Sequence, residues 1–272
     1  MKLCPQTRGR LKAALAEDTG GGDITSNLLI PAAACAKAVI VAREKGVFCG
    51  APVLAELFRI ADPGLKARFL VMEGKTFRKN QKVVLLKGKV RSILRAERTA
   101  LNFLGRLSGI ATMTRRYVER IQGSKTQVFD TRKTTPLLRE FEKYAVKTGG
   151  GQNHRMGLYD AVFVKENHRR FGRLSQLRKV SGHFEIEVRN LKELSQALAL
   201  NPRVILFDNF SPAKLKEAVT LARKAGRRII LEASGGIRLA NIARFAAAGA
   251  DRISSGALTH SPQCVDFSLL IE

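Results

Sequence analysis

The sequence has no tryptophan and only 6 % aromatic residues. The stacking platforms on which single-stranded nucleic acid lies are therefore poorly supplied. No apolar run approaches the roughly 18 residues of a spanning helix, which sets a membrane protein aside. The four cysteines, Cys4, Cys35, Cys49 and Cys264, form no Cys-x-x-Cys pair. A disulfide framework and a zinc site are thus not expected, and a reducing compartment fits. Met1-Lys2-Leu3-Cys4-Pro5 leads at once into charged residues without a signal-peptide stretch, so export is not expected and the cytoplasm is. Acid is also short: 23 Asp and Glu stand against 48 Lys and Arg, a net charge of +25. Such an excess suggests an anionic partner. It is spread, however, with 20 basic and 8 acidic residues in 1–106 and 28 and 15 beyond. Much of it falls beside apolar-periodic stretches, as on a solvated helix face, so a nucleic-acid partner is not favoured.

What is present is ordinary globular composition, 45 % hydrophobic and 26 % charged over 272 residues, enough for one large domain or two modest ones. The C-terminal part has a rhythm. Strand-like runs recur at Gln127–Phe129, Ala161–Val164, Phe184–Val188, Val204–Phe207, Arg228–Leu231 and Arg252–Ser254. Helical patterns fill the gaps, as in a parallel βα sheet or barrel. In the first gap Thr135 can cap and Pro136 fits the first helical turn. Later gaps offer Leu191–Leu200, Pro212–Ala225 and Leu239–Ala248 as helices. Upstream the reading is α+β, with strands at Ala36–Ala42, Phe69–Val71 and Lys82–Leu86 and a helix at Ala51–Ile60. The stretch Ile93–Ile121 is largely helical but carries Gly105 and Gly109. A boundary near it divides the chain into 1–106 and 107–272, with the last few residues free to pack back on the N-terminal domain.

Loops after the strands line the active face of a βα barrel. They carry Asp130-Thr131-Arg132-Lys133, Lys165-Glu166-Asn167-His168, Asp208-Asn209, Glu232-Ala233-Ser234-Gly235-Gly236 and Ser254-Ser255-Gly256. Glu185 and Glu187 share one face of their strand because side chains alternate. Two small-residue loops after the last two strands suit a phosphate, although a plain turn also explains each alone. Arg132, Lys133, Lys165 and the His154-Arg155 pair fall on one rim, where repulsion is relieved by a multiply charged anion. Arginine forks recognise carboxylates. Glu187 and Asp208 would repel such anions directly, so they suit sugar hydroxyls or Mg²⁺. His183 and His260 read as structural, and Cys264 has no evident histidine partner for a thiol mechanism.

These residues form recognisable runs: Asp130-Thr131-Arg132-Lys133-Thr134-Thr135-Pro136, Gly149-Gly150-Gly151-Gln152-Asn153-His154-Arg155, Val164-Lys165-Glu166-Asn167-His168, Leu231–Ile237 and Ser255–Ser261. With Glu97-Arg98-Thr99-Ala100-Leu101-Asn102 and Leu107-Ser108-Gly109-Ile110-Ala111-Thr112 upstream, the chain resembles the quinolinate phosphoribosyltransferases over nearly its whole length.

The resemblance implies an N-terminal α/β sandwich, an incomplete C-terminal α/β barrel and a homodimer with shared active sites, or a hexamer built from such dimers. It implies phosphoribosyl transfer to quinolinate with decarboxylation, giving nicotinate mononucleotide, pyrophosphate and CO₂, with Mg²⁺. It assigns quinolinate to Arg132, His154, Arg155 and Lys165, with Arg98 arriving from the partner subunit. It assigns phosphoribosyl pyrophosphate or its Mg²⁺ to Lys133, Lys165, Glu187 and Asp208, with Thr131 beside them. The 5′-phosphate falls to Ser234, Gly235, Gly236, Ser255 and Gly256. The high net charge departs from the family, as does Arg189, where an acidic or small residue is expected. A molybdenum-transport-associated paralogue of the same fold and a nucleic-acid-binding module on an inactive barrel are the competing readings.

Overall fold

The computed structural model describes residues 3–180, 183–226 and 228–272. In chain order the elements are α1 (Pro5–Thr19), α2 (Ile24–Leu29), β1 (Cys35–Ala42), β2 (Gly46–Val47), α3 (Ala51–Ala61), β3 (Lys66–Phe69), β4 (Thr76–Phe77), β5 (Lys82–Lys89), α4 (Val90–Arg120), β6 (Gln127–Phe129), α5 (Arg139–Thr148), β7 (Val162–Val164), α6 (Glu166–Phe171), β8 (Phe184–Val188), α7 (Leu191–Ala199), β9 (Val204–Asp208), α8 (Pro212–Lys224), β10 (Ile230–Ser234), α9 (Ile242–Ala247), β11 (Arg252–Ser254), α10 (Ala257–His260) and β12 (Phe267–Ile271), with a short 3-10 helix at Leu174–Val180. Among the described residues no helix is long and apolar enough to cross a membrane.

The chain forms two compact units. One holds the chain up to Met113 together with Pro136–Gly149 and the residues from Pro262 on; the other holds Thr114–Thr135 and Gly150–Ser261. The chain changes unit inside α4, and α5 returns to the first unit.

The first unit is built on an antiparallel sheet in the order β12-β1-β5-β3. The consecutive Val, Ile and Leu runs of β1 and β5 pair in register Ala38↔Leu86, and β12 closes the edge with Ala42↔Phe267. The apolar trio Phe69–Val71 marks only the end of β3, where Leu70 still donates to the Val83 carbonyl. The start of α3 shows how orphan helix N–H groups are met. The Glu73 carboxylate, from a distant turn, accepts from Gly50 and Ala51 N–H at 2.8 and 3.0 Å.

Gly105 and Gly109 do not interrupt α4; they seat the returning C-terminal segment. A Cβ on Gly105 would lie 2.7 Å from the Val265 carbonyl oxygen, and one on Gly109 only 2.1 Å from that of Gln263. Val265 N–H donates to the Gly105 carbonyl at 3.0 Å, so backbone meets backbone across the missing side chains. The α5 region also departs from expectation. Thr135 and Pro136 do not start the helix, because Leu137 takes a left-handed backbone (φ 64°) and the helix begins at Arg139.

The second unit is an all-parallel sheet in the order β6-β11-β10-β9-β8-β7. The first strand pairs with the last, so the sheet curls into a barrel left open between β6 and β7. The Gly151–Asn153 stretch partly fills that seam. Gln152 forms a parallel bridge with Phe129, donates to Val128 and accepts from Asp130. Ser211 caps α8 before Pro212, and Asn190 caps α7. The β10 ladder runs to Ser234, beyond the apolar residues that alone suggested an end at Leu231, because its parallel partner continues to Asp208. The helix expected from Leu239 starts only at Ile242.

Replacing Gly109 by alanine is expected to destabilise the protein by about 1–3 kcal/mol through overpacking, lowering the melting temperature by several degrees. Gly9→Ala is the control: Gly9 lies inside α1 with nothing within 4 Å of a Cβ. There alanine is expected to be neutral or to stabilise by up to about 1 kcal/mol. Thermal melts of the two variants check the pair, and equal melting temperatures would count against a backbone-to-backbone seat.

Candidate active site

The barrel brings the strand ends together around one cavity of about 440 Å³. Thr131, Arg132 and Lys133 follow β6, and His154 and Arg155 follow the seam stretch. Lys165 follows β7, Glu187 lies on β8 and Asp208 ends β9. Ser234, Gly235 and Gly236 follow β10, and Ser255 and Gly256 follow β11; all of these line the cavity. Arg98 does not. It belongs to the first unit, where with Glu17, Asp18, Asn102 and Arg106 it lines a separate cavity of about 420 Å³.

Several of these residues are held by specific bonds. Thr131 Oγ1 accepts the Lys133 N–H at 3.0 Å, and Thr259 Oγ1 donates to the Lys133 carbonyl at 2.7 Å. The loop carrying Lys133 is thus fixed from both sides. The buried Asp130 carboxylate accepts the His154 N–H at 2.9 Å, tying the seam stretch to the end of β6. Arg155 donates through Nη1 to the Ala161 carbonyl at 2.9 Å. Burial, and then the neighbouring Arg132 guanidinium, lower the Arg155 pKa from its usual value. Glu185 and Asp160 offset part of that repulsion.

Phe163 escaped the sequence reading. Its ring lies 5.1 Å from the Arg155 guanidinium carbon and 5.1 Å from Lys165 Nζ, and it packs beside the His154 ring. One aromatic platform therefore holds two rim cations by cation–π attraction. The available signal was alternation: Phe163 and Lys165 are two apart and face the same side. Arg238, which also lines the cavity, gave no signal beyond following a glycine pair.

The two small-residue loops interlock. Gly235 and Gly236 both have positive φ, 93° and 62°. A Cβ on Gly235 would lie 2.2 Å from Asn209 Oδ1, so the first glycine is needed for the close packing of the β9 and β10 loops. Gly236 faces open space. Asn241 braces this loop, donating to the Gly236 carbonyl and accepting the Arg238 N–H. Ser255 donates to the Ile237 carbonyl at 2.8 Å and is buried, so its hydroxyl joins the loops. An anion here would be met by backbone N–H groups of the loops, since α9 begins five residues after Ile237.

At the other side of the mouth, burial and then Asp208 raise the Glu187 pKa. Arg189, the residue out of pattern, pairs with Glu166 at 2.5 Å. Its Nε lies 4.0 Å from Glu187 and 3.8 Å from Asp208.

Below the cavity lies a second inward layer. Glu185 precedes Glu187 by two residues, and Glu232 precedes Ser234 by two. The His154 ring faces both acids, with Nε2 3.0 Å from Glu185 and 3.7 Å from Glu232. Arg252 Nη1 approaches Glu232 to 3.9 Å from the far side.

Residues 23–108 match the model of the quinolinate phosphoribosyl transferase N-terminal domain, and residues 110–270 match that of its C-terminal domain. The chain belongs to this family. It is 42 % identical over 272 residues to a probable nicotinate-nucleotide pyrophosphorylase (carboxylating) of Methanocaldococcus jannaschii, covering 95 % of each chain. It is 37 % identical to the nicotinate-nucleotide pyrophosphorylase (carboxylating) of Mycobacterium leprae, covering 96 % of each. A solved nicotinate-nucleotide pyrophosphorylase from Francisella tularensis superimposes with a TM-score of 0.91 at 38 % identity, over 99 % of this chain and 98 % of that one. The quinolinate phosphoribosyl transferase fold is thus shared from end to end.

Burial, and then Glu185, raise the Glu232 pKa from 4.5 to about 7, with His154, Ser254 and Arg252 pulling it back. Between those values the folded chain holds a proton that the unfolded chain has lost. Stability therefore falls as pH rises through that window. Glu232→Gln abolishes this contribution. The melting temperature of wild type relative to Glu232→Gln is expected to decline from about pH 4.5 to about pH 7.5. Melts at several pH values check it, and a constant difference would mean that Glu232 ionises normally.

Proposed function

We propose that this chain transfers the phosphoribosyl group of phosphoribosyl pyrophosphate to quinolinate, releasing pyrophosphate and CO₂ and giving nicotinate mononucleotide for NAD biosynthesis. The observation that carries the reading is the lining of one cavity. Arg132, Arg155, Lys133 and Lys165 share it with the interlocked Ser234–Gly236 and Ser255-Gly256 loops, Lys133 lying beside Gly256. A dicarboxylate and a sugar phosphate held side by side need that combination of cations and backbone donors.

In this reading Arg132, Arg155 and Lys165 hold the two carboxylates of quinolinate, with the His154 ring as part of the wall. The backbone of the Ser234–Gly236 and Gly256 loops holds the 5′-phosphate. The quinolinate nitrogen bonds to the sugar carbon as the bond to pyrophosphate breaks, and pyrophosphate leaves with the electron pair. Lys133 and Lys165 offset the charge on the departing oxygens, so catalysis is positional and electrostatic, without a covalent enzyme intermediate. Loss of CO₂ leaves an electron pair on the adjacent ring carbon, which then takes a proton. The ring nitrogen, cationic once glycosylated, stabilises that pair.

Glu187 and Asp208 fit Mg²⁺. They are two neighbouring carboxylates, one with its pKa raised by burial and by the other, and a hard cation relieves that repulsion. When bound, Mg²⁺ supplies charge neutralisation for the pyrophosphate. The proposal includes a homodimer in which Arg98 completes the partner's site, and a cytoplasmic location. The competing nucleic-acid reading is less well supported, because the rim cations converge on a cavity instead of tracking along a surface.

CO₂ release from quinolinate is expected to require phosphoribosyl pyrophosphate. Arg155→Ala is expected to lower kcat/KM for quinolinate by about 10²-fold or more. Retention of near-normal kcat/KM would remove Arg155 from the quinolinate site.

The dimer is tested separately. Arg98→Ala and Lys133→Ala proteins, each inactive, are expected to regain part of the activity when their subunits exchange, since one hybrid site is then intact. No recovery after demonstrated exchange would overturn the shared site.

A further inference from the structure

We infer that Glu232 is a positioning residue of this active site: from beneath the cavity it fixes, with Glu185, the ring of His154, and through that ring the neighbouring Arg155. The inference rests on the reading of Arg155 as a quinolinate contact.

Glu232 is completely buried on the inward face of β10, and neither of its oxygens has a well-formed hydrogen bond. A buried carboxyl without a well-formed hydrogen bond is costly to keep. What surrounds it is ordered toward the cavity. His154 Nδ1 accepts the N–H of Arg155 at 2.8 Å. That nitrogen therefore carries no proton, and the proton of the neutral ring is on Nε2. Nε2–H points at the two acids, 3.0 Å from Glu185 Oε2 and 3.7 Å from Glu232 Oε1. The ring is thus set by two carboxyl groups on one side and sets the Arg155 backbone on the other. Its face and the Arg155 guanidinium share the Phe163 ring, with centres 5.7 and 5.1 Å away. A turn of His154 would move the Arg155 backbone N–H out of its bond and disturb the platform that carries two rim cations.

His154, Glu185 and Glu232 also have the spacing of a metal site. The tautomer argues against one, since Nε2 cannot ligate while it bears the proton and Nδ1 is occupied by a backbone N–H. A purely structural acid is the remaining alternative, and it has a different signature.

Three variants separate these cases, each with melting curves and calorimetric titration of quinolinate. Glu232→Ala is expected to raise KM and Kd for quinolinate by roughly tenfold to a hundredfold, leaving KM for phosphoribosyl pyrophosphate within about twofold. Glu232→Gln keeps an acceptor oxygen in a side chain of the same shape and is expected to recover most of that loss. Glu232→Met keeps the volume where alanine fails to fold, and is expected to behave as Glu232→Ala does. Nitrogen NMR of the histidine rings, with His154 assigned through His154→Asn, is expected to show the Nε2–H tautomer in the wild type and a mixture in Glu232→Met. This readout needs no substrate. A wild type that shows the tautomer but neither binds nor converts quinolinate overturns the functional reading and, with it, the role of Glu232 toward Arg155. A wild type that converts quinolinate, with both KM values rising together in Glu232→Ala, or with Glu232→Gln no better than alanine, overturns the inference alone. Stoichiometric Zn²⁺ binding to wild type that is lost in Glu232→Gln does so as well.

Discussion

Parallel strands in a barrel send every second side chain inward, and the chemistry of this chain depends on that period. Lys165, Glu187, Ser234 and Ser254 form a layer at the cavity, and Phe163, Glu185, Glu232 and Arg252 stand two residues earlier on the same strands. In many barrels such inner layers are filled with Val, Ile and Leu. Here the lower layer is aromatic and charged. Arg252 covers the Phe129 ring at 4.7 Å and approaches Glu232, while His154 reaches across from the seam to both acids. Charges this close, and largely buried, are screened little by solvent, so each constrains the orientation of the next. The floor is therefore preorganised before either substrate arrives, and the cations above inherit its geometry.

The strand-end residues were legible because a βα rhythm predicts which loops share a face. The Arg132-Lys133 pair, Lys165, Glu187 and Asp208 are far apart in sequence, yet four strand ends place them around one cavity. Residues whose role is to support that layer were harder to read. Glu232 stands in an apolar run, Ile229-Ile230-Leu231, that looks like any buried strand. Phe163 reads as core. Gly105 and Gly109 suggested a break, since sequence alone does not reveal a C-terminal segment returning across a helix from more than 150 residues away. Leu137 kept the apolar spacing of a helix while its backbone turned left-handed. In each case the deciding partner is remote, and local pattern carries no information about it.

The loops that would meet the phosphate illustrate the same division. Two glycines side by side carry different constraints. Gly235 leaves room for Asn209, whose N–H donates to the Ser234 carbonyl at 2.9 Å. Gly236 leaves its backbone facing open space. The serines divide likewise, since the Ser255 hydroxyl is committed to Ile237. A Ser-Gly-Gly run thus joins one position that locks the loop to one that leaves backbone accessible, and the lock keeps the accessible N–H groups aimed.

Charge at the mouth is more finely balanced than the net +25 suggests. Exposed charges act over about 10 Å at moderate salt. On α8, Lys214, Lys216 and Lys224 belong to a solvated helix face, whereas Arg223 is paired with Asp251 and bonded to the Ile229 carbonyl; nothing in the structure explains the number of basic residues. Arg189 is different. It is tied to Glu166 and lies within 4.0 Å of both Glu187 and Asp208. Those carboxylates consequently do not face the cavity as a bare anionic pair. A guanidinium is a permanent cation, but this one is on a half-exposed side chain that can swing aside. A divalent ion at the same carboxylates must either share them with Arg189 or displace it toward Glu166. Arg189 is thus the standing counter-charge of the carboxylate pair, and any cation that binds there must offset its removal.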